Sequence, residues 1–231
     1  MRVLDLGCGP GFSAIELARV VAPSGSVLAL DASERFIEMG RKIAAEAELK
    51  NLEFLQLNLE RQPVPGVDFD RIWCRWLVMF LSSPEALLSQ LRPLLKPKGQ
   101  VIFHEYVHWD TFGLHPHGYA ISRFGHATQK SFELTGGDAN VNRRLPTLLT
   151  DQGFHIDDLQ PLPVLGGQGS MAALWLERFV EVYGKKLKQQ GLWDSKEHSA
   201  AQAEINAAKL NPGSFWVGPT VMELRATRLE D

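Results

Sequence analysis

The stretch Val3-Leu4-Asp5-Leu6-Gly7-Cys8-Gly9-Pro10-Gly11-Phe12 decides the fold. Val3, Leu4 and Leu6 flank a single acid and predict a short buried parallel strand. Gly7, Gly9 and Gly11 fall on alternate positions and predict a tight turn. Residues 13–21 follow as a helix, with Ile15, Leu17, Ala18 and Val21 available for packing. A strand that runs through glycines into a helix lets a ligand touch bare backbone, because no Cβ stands in the way. The first turn of the helix adds unpaired N–H groups.

Glycine spacing selects the ligand. A dinucleotide turn needs Gly-x-Gly-x-x-Gly, and the position it gives to the third glycine is Phe12. A Walker phosphate loop is excluded, since no Gly-Lys-Ser/Thr follows. The plain alternative is an ordinary βα turn with no ligand. Context argues against it: after the turn Pro23-Ser24-Gly25-Ser26, a second apolar run, Val27-Leu28-Ala29-Leu30, ends on Asp31. Asp5, Gly7, Gly9 and Gly11 resemble, residue by residue, motif I of the class I S-adenosylmethionine (SAM) dependent methyltransferases, Asp-x-Gly-x-Gly-x-Gly.

The resemblance implies a cofactor site. Asp5, Gly7, Cys8, Gly9 and Gly11 would form the cofactor loop. Asp31 would accept both ribose hydroxyls, for which a carboxylate suits because it only accepts. Asp31 could equally serve, with Ser33, as the cap of the next helix. Ala32 would lie against the adenine. Asn58 would meet the adenine amino group and Leu59 would give its backbone N–H, or Asn58 simply starts a loop. Arg75, just past the fourth strand, opens a segment that in this family lines the methyl donor and acceptor. The Asp/Asn-Pro-Pro-Tyr/Phe signature of enzymes that methylate amino groups of bases or glutamine is missing, since the chain reads Cys74-Arg75-Trp76-Leu77. Cys74 lacks the preceding proline common in cytosine C5 methylation and reads as a small buried hydrophobe.

Leu94-Leu95-Lys96-Pro97-Lys98-Gly99 is similar to the Leu-Lys-Pro-Gly-Gly of the family, so the likeness runs from residue 3 to 106. Further on, Gly136-Gly137-Asp138 and Asn142-Arg143-Arg144-Leu145-Pro146 resemble the ubiquinone and menaquinone biosynthesis type. The implied fold is α/β: a Rossmann-like sheet of seven mostly parallel strands with an antiparallel last strand, helices on both faces and a helical insertion or lid. We expect one domain over 1–231, with a SAM-binding core at 1–106. Helical insertions then occupy 107–140 and 166–212, and the rest of the sheet comes from 141–165 and 213–231.

Local patterns predict the remaining elements. Helices are expected over 34–50, from Ser83-Pro84-Glu85 until Pro93 or Gly99 stops it, and over 119–135, 142–152 and 171–190. Asp194-Ser195-Lys196-Glu197 resembles a capping box opening a helix to about residue 210. Strands are expected over 52–57, 69–74, 100–106, 154–164 and 215–228, with a flexible link at Gly166-Gly167-Gln168-Gly169.

Composition sets the outer bounds. The chain has 231 residues, 45% hydrophobic and 22% charged, enough for one folded core. A net charge of −3 leaves no footprint for nucleic acid. No apolar run reaches the ~18 residues of a membrane span, and no secretory leader is present, so a cytoplasmic protein is expected. Two cysteines form no metal or disulfide pattern, and His115-Pro-His117 has no partner ligand in spacing, so no metal is expected. Only Met1 and Arg2 precede the first strand, and Met1 is expected to be an internal methionine of a longer protein. Tyr106, Trp109, Phe112, Tyr119 and Phe124 could line an apolar acceptor pocket or form the insertion's own core. A general base for a methyl acceptor would come from the same segment, with His108 first and Glu105 second. The reading is a SAM-dependent methyltransferase acting on a small, apolar or aromatic acceptor and releasing S-adenosylhomocysteine. The alternative is a SAM-binding relative without turnover, or one truncated at its start.

Overall fold

A computed structural model describes Met1–Glu230. In chain order the first half carries β1 (Arg2–Leu6), α1 (Phe12–Val21), β2 (Ser26–Asp31), α2 (Glu34–Glu46), β3 (Leu52–Gln56), β4 (Phe69–Arg75), α3 (Pro84–Leu94) and β5 (Leu95–His108). Then come β6 (Gly113–His115), α4 (Tyr119–Glu133), α5 (Leu145–Asp151), β7 (Phe154–Leu162) and β8 (Leu165–Gly167). The chain ends with α6 (Met171–Gln189), α7 (Ser195–Leu210), β9 (Phe215–Val217) and β10 (Thr220–Arg228). Two compact units result. The first comprises Met1–Glu105, Asn142–Gln160 and the chain from Glu223 on, and the second Tyr106–Val141 and Pro161–Met222.

The large sheet has seven strands in the order β3-β2-β1-β4-β5-β10-β7 and is mixed, with an antiparallel closing strand. β1 lies between parallel neighbours, with Leu4 opposite Leu28 and Ile72, and Leu6 opposite Leu30 and Cys74. A strand flanked on both sides and covered on both faces needs apolar residues nearly throughout, which is what residues 3–6 supply. Val3, Ala14, Ala18, Val27, Ala29, Ile37 and Phe54 form one layer of its core.

Several boundaries differ from the sequence expectation for local reasons. α2 begins as expected, with Ser33 Oγ accepting from the Phe36 N–H. It stops at Glu46 rather than at residue 50, because Glu48 turns left-handed at φ 54° and the Leu49 N–H folds back onto the Ala44 carbonyl. α3 starts at Pro84, yet Ser83 makes no side-chain cap bond. Pro93 sits in the last turn of α3, has no N–H for the Ser89 carbonyl, and the helix ends one residue later at Leu94. The helix expected over 142–152 is a single 3-10 turn, Val141–Arg143, followed by the short α5.

The second unit has its own core. A three-stranded antiparallel sheet, β6-β9-β8, stacks Leu114, Trp216 and Gly166 side by side. Its buried face meets α4, α6 and α7 through Phe112, Phe124, Leu176, Trp193 and Trp216. The expected flexible link at 166–169 is therefore partly strand. The expected last strand over 215–228 is two strands in two sheets. Pro219 has no N–H to continue the ladder, and the Gly218 N–H turns to the Val164 carbonyl at 2.7 Å. The expected capping box is present, with Asp194 and Glu197 each accepting the other's N–H. Glu204 of α7 caps α4 by accepting from Ala120 and Ile121 N–H at 2.8 and 2.9 Å. Phe112 and Phe124 are buried in this core and Trp109 is buried against Phe112, whereas Tyr119 is 79% exposed.

Candidate active site

The site is built at the C-terminal end of β1. Gly7, Gly9 and Gly11 all take positive φ, at 68°, 55° and 87°, a region that side chains rarely occupy. Their surroundings differ. A Cβ on Gly7 would stand 2.8 Å from Leu77, and one on Gly11 would stand 2.6 Å from Phe54. A Cβ on Gly9 would meet nothing within 4 Å, so Gly9 faces open space. The first and third glycines thus let the turn fold, while the middle one keeps its outer side bare.

That bare side borders a cavity of about 190 Å³ lined by Asp5, Gly7, Cys8, Gly9, Arg75 and Trp76. Asp5 is 2% exposed and its Oδ2 has no hydrogen-bond partner. Burial pushes its pKa up to about 8, against the pull of Arg75 and with a further push from Asp31. An unpartnered buried carboxyl at a cavity wall calls for a positive charge in the cavity. The Arg75 guanidinium lies 4.9 Å from the Trp76 ring centroid. Phe12, where a dinucleotide turn would carry glycine, is 59% exposed.

Asp31 ends β2 and joins the site through the turn. Its Oδ2 accepts the Gly9 N–H at 2.9 Å and its Oδ1 the Ser33 N–H at 2.8 Å. Asp31 thus orders the glycine turn and the chain entering α2, and it retains lone pairs at the strand end. Ala32 is exposed, and its carbonyl accepts from Gln56 Nε2. Asn58 does start a loop, with Oδ1 accepting the Glu60 N–H and its own N–H donated to Gln62 Oε1. Leu59 is buried beside it. Ala32, Asn58 and Leu59 are not in the cavity lining. Burial first, then Asp5 and Asp31, pushes the Cys8 thiol far up, and burial does the same to Cys74. Neither sulfur is a ready nucleophile.

The two residues expected to remove a proton lie in contrasting settings. His108 is exposed, with Nε2 3.8 Å from Asp110 Oδ2. Glu105 is fully buried, and its Oε1 accepts the Leu77 and Val78 N–H groups at 2.8 and 2.7 Å. Burial pushes its pKa up to about 7, opposed by those backbone bonds. Trp76 belongs to the segment that Arg75 opens, and it lines the cavity with φ at 55°. Among the described residues no group of three His, Cys, Asp or Glu side chains could hold a metal ion.

The methyltransferase domain family matches residues 1–153. A demethylmenaquinone methyltransferase of Symbiobacterium thermophilum is 34% identical over 125 residues, covering 48% of this chain and 50% of that protein. The chain spans about half the length of the curated relatives it matches. Among solved structures, the YcgJ protein of Bacillus subtilis aligns with TM-score 0.61 and 17% identity, over all of this chain and 92% of that one. An O-methyltransferase from a polyketide multienzyme of Brevibacillus brevis, in complex with S-adenosyl-L-homocysteine, aligns with TM-score 0.58 and 17% identity over 99% and 67%. These two likenesses concern the fold. The family match covers two thirds of the chain, the glycine turn and Asp31 included, and shows that the chain belongs to the class I SAM-dependent methyltransferases.

Proposed function

We propose that this protein transfers a methyl group from SAM to a small-molecule acceptor. The observation that carries the reading is the buried Asp5, whose Oδ2 has no hydrogen-bond partner, in the lining of a cavity walled by Gly7 and Gly9. Bound SAM supplies an activated methyl on a sulfonium and a neutral thioether as leaving group. Asp5 meets the cationic end of the cofactor, which favours its ionised form. Arg75 pairs with the carboxylate of the methionine part. Asp31 accepts the ribose hydroxyls with the lone pairs that Gly9 and Ser33 leave over. Asn58 and Leu59 serve the adenine edge, and Ala32 its face. Holding donor and acceptor in line contributes on the order of 7–11 kcal/mol without a strong base. Where the acceptor must lose a proton, the exposed imidazole of His108 takes it.

The acceptor we infer is small and apolar or aromatic. The demethylmenaquinone methyltransferases among the relatives support a quinol-like ring. We place the reaction in the cytoplasm, in keeping with two unpaired buried cysteines; no described helix is long and apolar enough to cross a membrane. Calorimetry with SAM, S-adenosylhomocysteine and NAD tests the cofactor, and a panel of quinols and phenols with labelled SAM tests turnover. Binding of both sulfur nucleosides and methylation of at least one acceptor are expected. NAD binding without SAM binding would overturn the reading, and SAM binding with no turnover would leave a cofactor-binding relative.

A further inference from the structure

After β4 the chain turns sharply at Trp76, which takes φ 55°, a conformation unfavourable for a bulky side chain. The turn leaves three consecutive backbone N–H groups needing partners, and β5 takes all three. The Trp76 N–H goes to the His104 carbonyl at 3.0 Å. The Leu77 and Val78 N–H groups converge on Glu105 Oε1. One oxygen can accept two such hydrogen bonds, and a carboxylate on a side chain brings a charged acceptor to both. Glu105 is itself held, since Asn142 Nδ2 donates to its backbone carbonyl at 2.9 Å. The segment so fixed bears on the cofactor cleft twice. Leu77 closes over Gly7, whose Cβ would stand 2.8 Å from it, and Trp76 lines the cavity with Arg75.

We propose that Glu105 is a positioning residue: its carboxylate clamps Trp76, Leu77 and Val78 over the glycine turn and so shapes the cofactor cleft, and it does not remove a proton from the acceptor. This assignment rests on the SAM reading above. It follows from where the side chain is spent. Oε1 is committed to two backbone donors and to the Cys74 thiol at 3.9 Å, Oε2 is buried without a hydrogen-bond partner, and the residue is 0% exposed, so neither oxygen is open to an acceptor. Loss of the carboxylate strands two buried N–H groups, frees Trp76 to relax its backbone and withdraws Leu77 from Gly7.

Three variants and three readouts test it. In Glu105→Ala, S-adenosylhomocysteine binding weakens at least tenfold, and amide exchange at Leu77 and Val78 in the unliganded protein quickens at least tenfold. Glu105→Gln keeps an oxygen for both donors, so affinity and kcat stay within about threefold of wild type. Glu105→Asp keeps the acid but is one methylene short, and behaves like Glu105→Ala. If Glu105→Ala fails to fold, Glu105→Asp decides. Wild-type affinity and exchange in Glu105→Asp would overturn the clamp. So would a Glu105→Gln variant that binds normally yet loses turnover a hundredfold, which would mark a base. Failure of the wild-type protein to bind SAM or S-adenosylhomocysteine is a separate outcome, which sinks the cofactor reading and the cleft-shaping role together. Slow exchange at Leu77 and Val78 would then report the bonds alone.

Discussion

The glycine turn after β1 and the aromatic core of the second unit use their residues in opposite ways. At the turn, function lies in what side chains leave open: Gly9 has nothing within 4 Å of a would-be Cβ, and Asp5 keeps an oxygen without a partner. In the core of the second unit the large rings pack on one another. Phe124 lies 5.9 Å from Phe112, 5.6 Å from Phe179 and 5.6 Å from Trp193, centroid to centroid. The turn is thus marked by open backbone and the core by ring-on-ring contact, although the buried ring nitrogens of Trp193 and Trp216 also go without a hydrogen-bond partner.

The largest effect expected from breaking this contrast is Phe124→Ala. It should cost about 3–5 kcal/mol of stability, measured by denaturant unfolding, because a fully buried ring is deleted. A loss below ~1 kcal/mol would show that these rings are not a packed core. Asp31→Ala should weaken SAM binding by about 1–3 kcal/mol in calorimetry. Unchanged affinity would confine Asp31 to ordering the Gly9 and Ser33 backbone. Gly9→Ala should still fold, at a cost of about 1–2 kcal/mol for a left-handed residue with a Cβ, yet lose SAM binding. Wild-type affinity there would mean that the open side of Gly9 meets no ligand. Asp194→Ala removes half of a capping box and should cost about 1 kcal/mol, seen as a lower melting temperature with cofactor affinity intact.

A further effect is a slope. Asp5 has a folded pKa raised from its ordinary 3.8 to about 8. The stability contributed by its protonated form is full below its unfolded value. It declines as pH rises and is gone once pH passes about 8. Stability of the unliganded protein should therefore fall between about pH 4 and 8, and Asp5→Asn should flatten that fall. Equal slopes in the two proteins would show that Asp5 is ionised throughout. A bound cation beside Asp5 should flatten the slope in the wild type as well.

Much of the first unit was legible because its signals are local. The alternation of Gly7, Gly9 and Gly11, the strand-end Asp31 and the proline opening α3 each act within a few residues. What stayed hidden depends on distant partners. Nothing near Gly166 announces that it will pair with Trp216, and a single strand over 215–228 reads plausibly until Pro219 is seen between two ladders. Asn58 carries two local bonds that a loop start would make anyway. Glu105 could have been read better. Val101, Phe103 and Glu105 share one face of β5, and the first two are wholly buried, so an acid in that register must spend its charge inside the protein. Tyr106, Trp109, Phe112 and Phe124 stayed ambiguous because a ring that packs and a ring that binds have the same chemistry.

Trp76 gives the molecule an internal lamp. Of the six tryptophans, Trp109, Trp175, Trp193 and Trp216 belong to the second unit and Trp73 lies within β4, outside the cavity lining, while Trp76 borders the cleft under the Arg75 guanidinium. Its emission is set by its polar, charged neighbours. A nucleoside entering beside it changes those neighbours directly, so the unlabelled protein should report its own occupancy in ordinary fluorescence, and Trp76→Phe should turn that signal off.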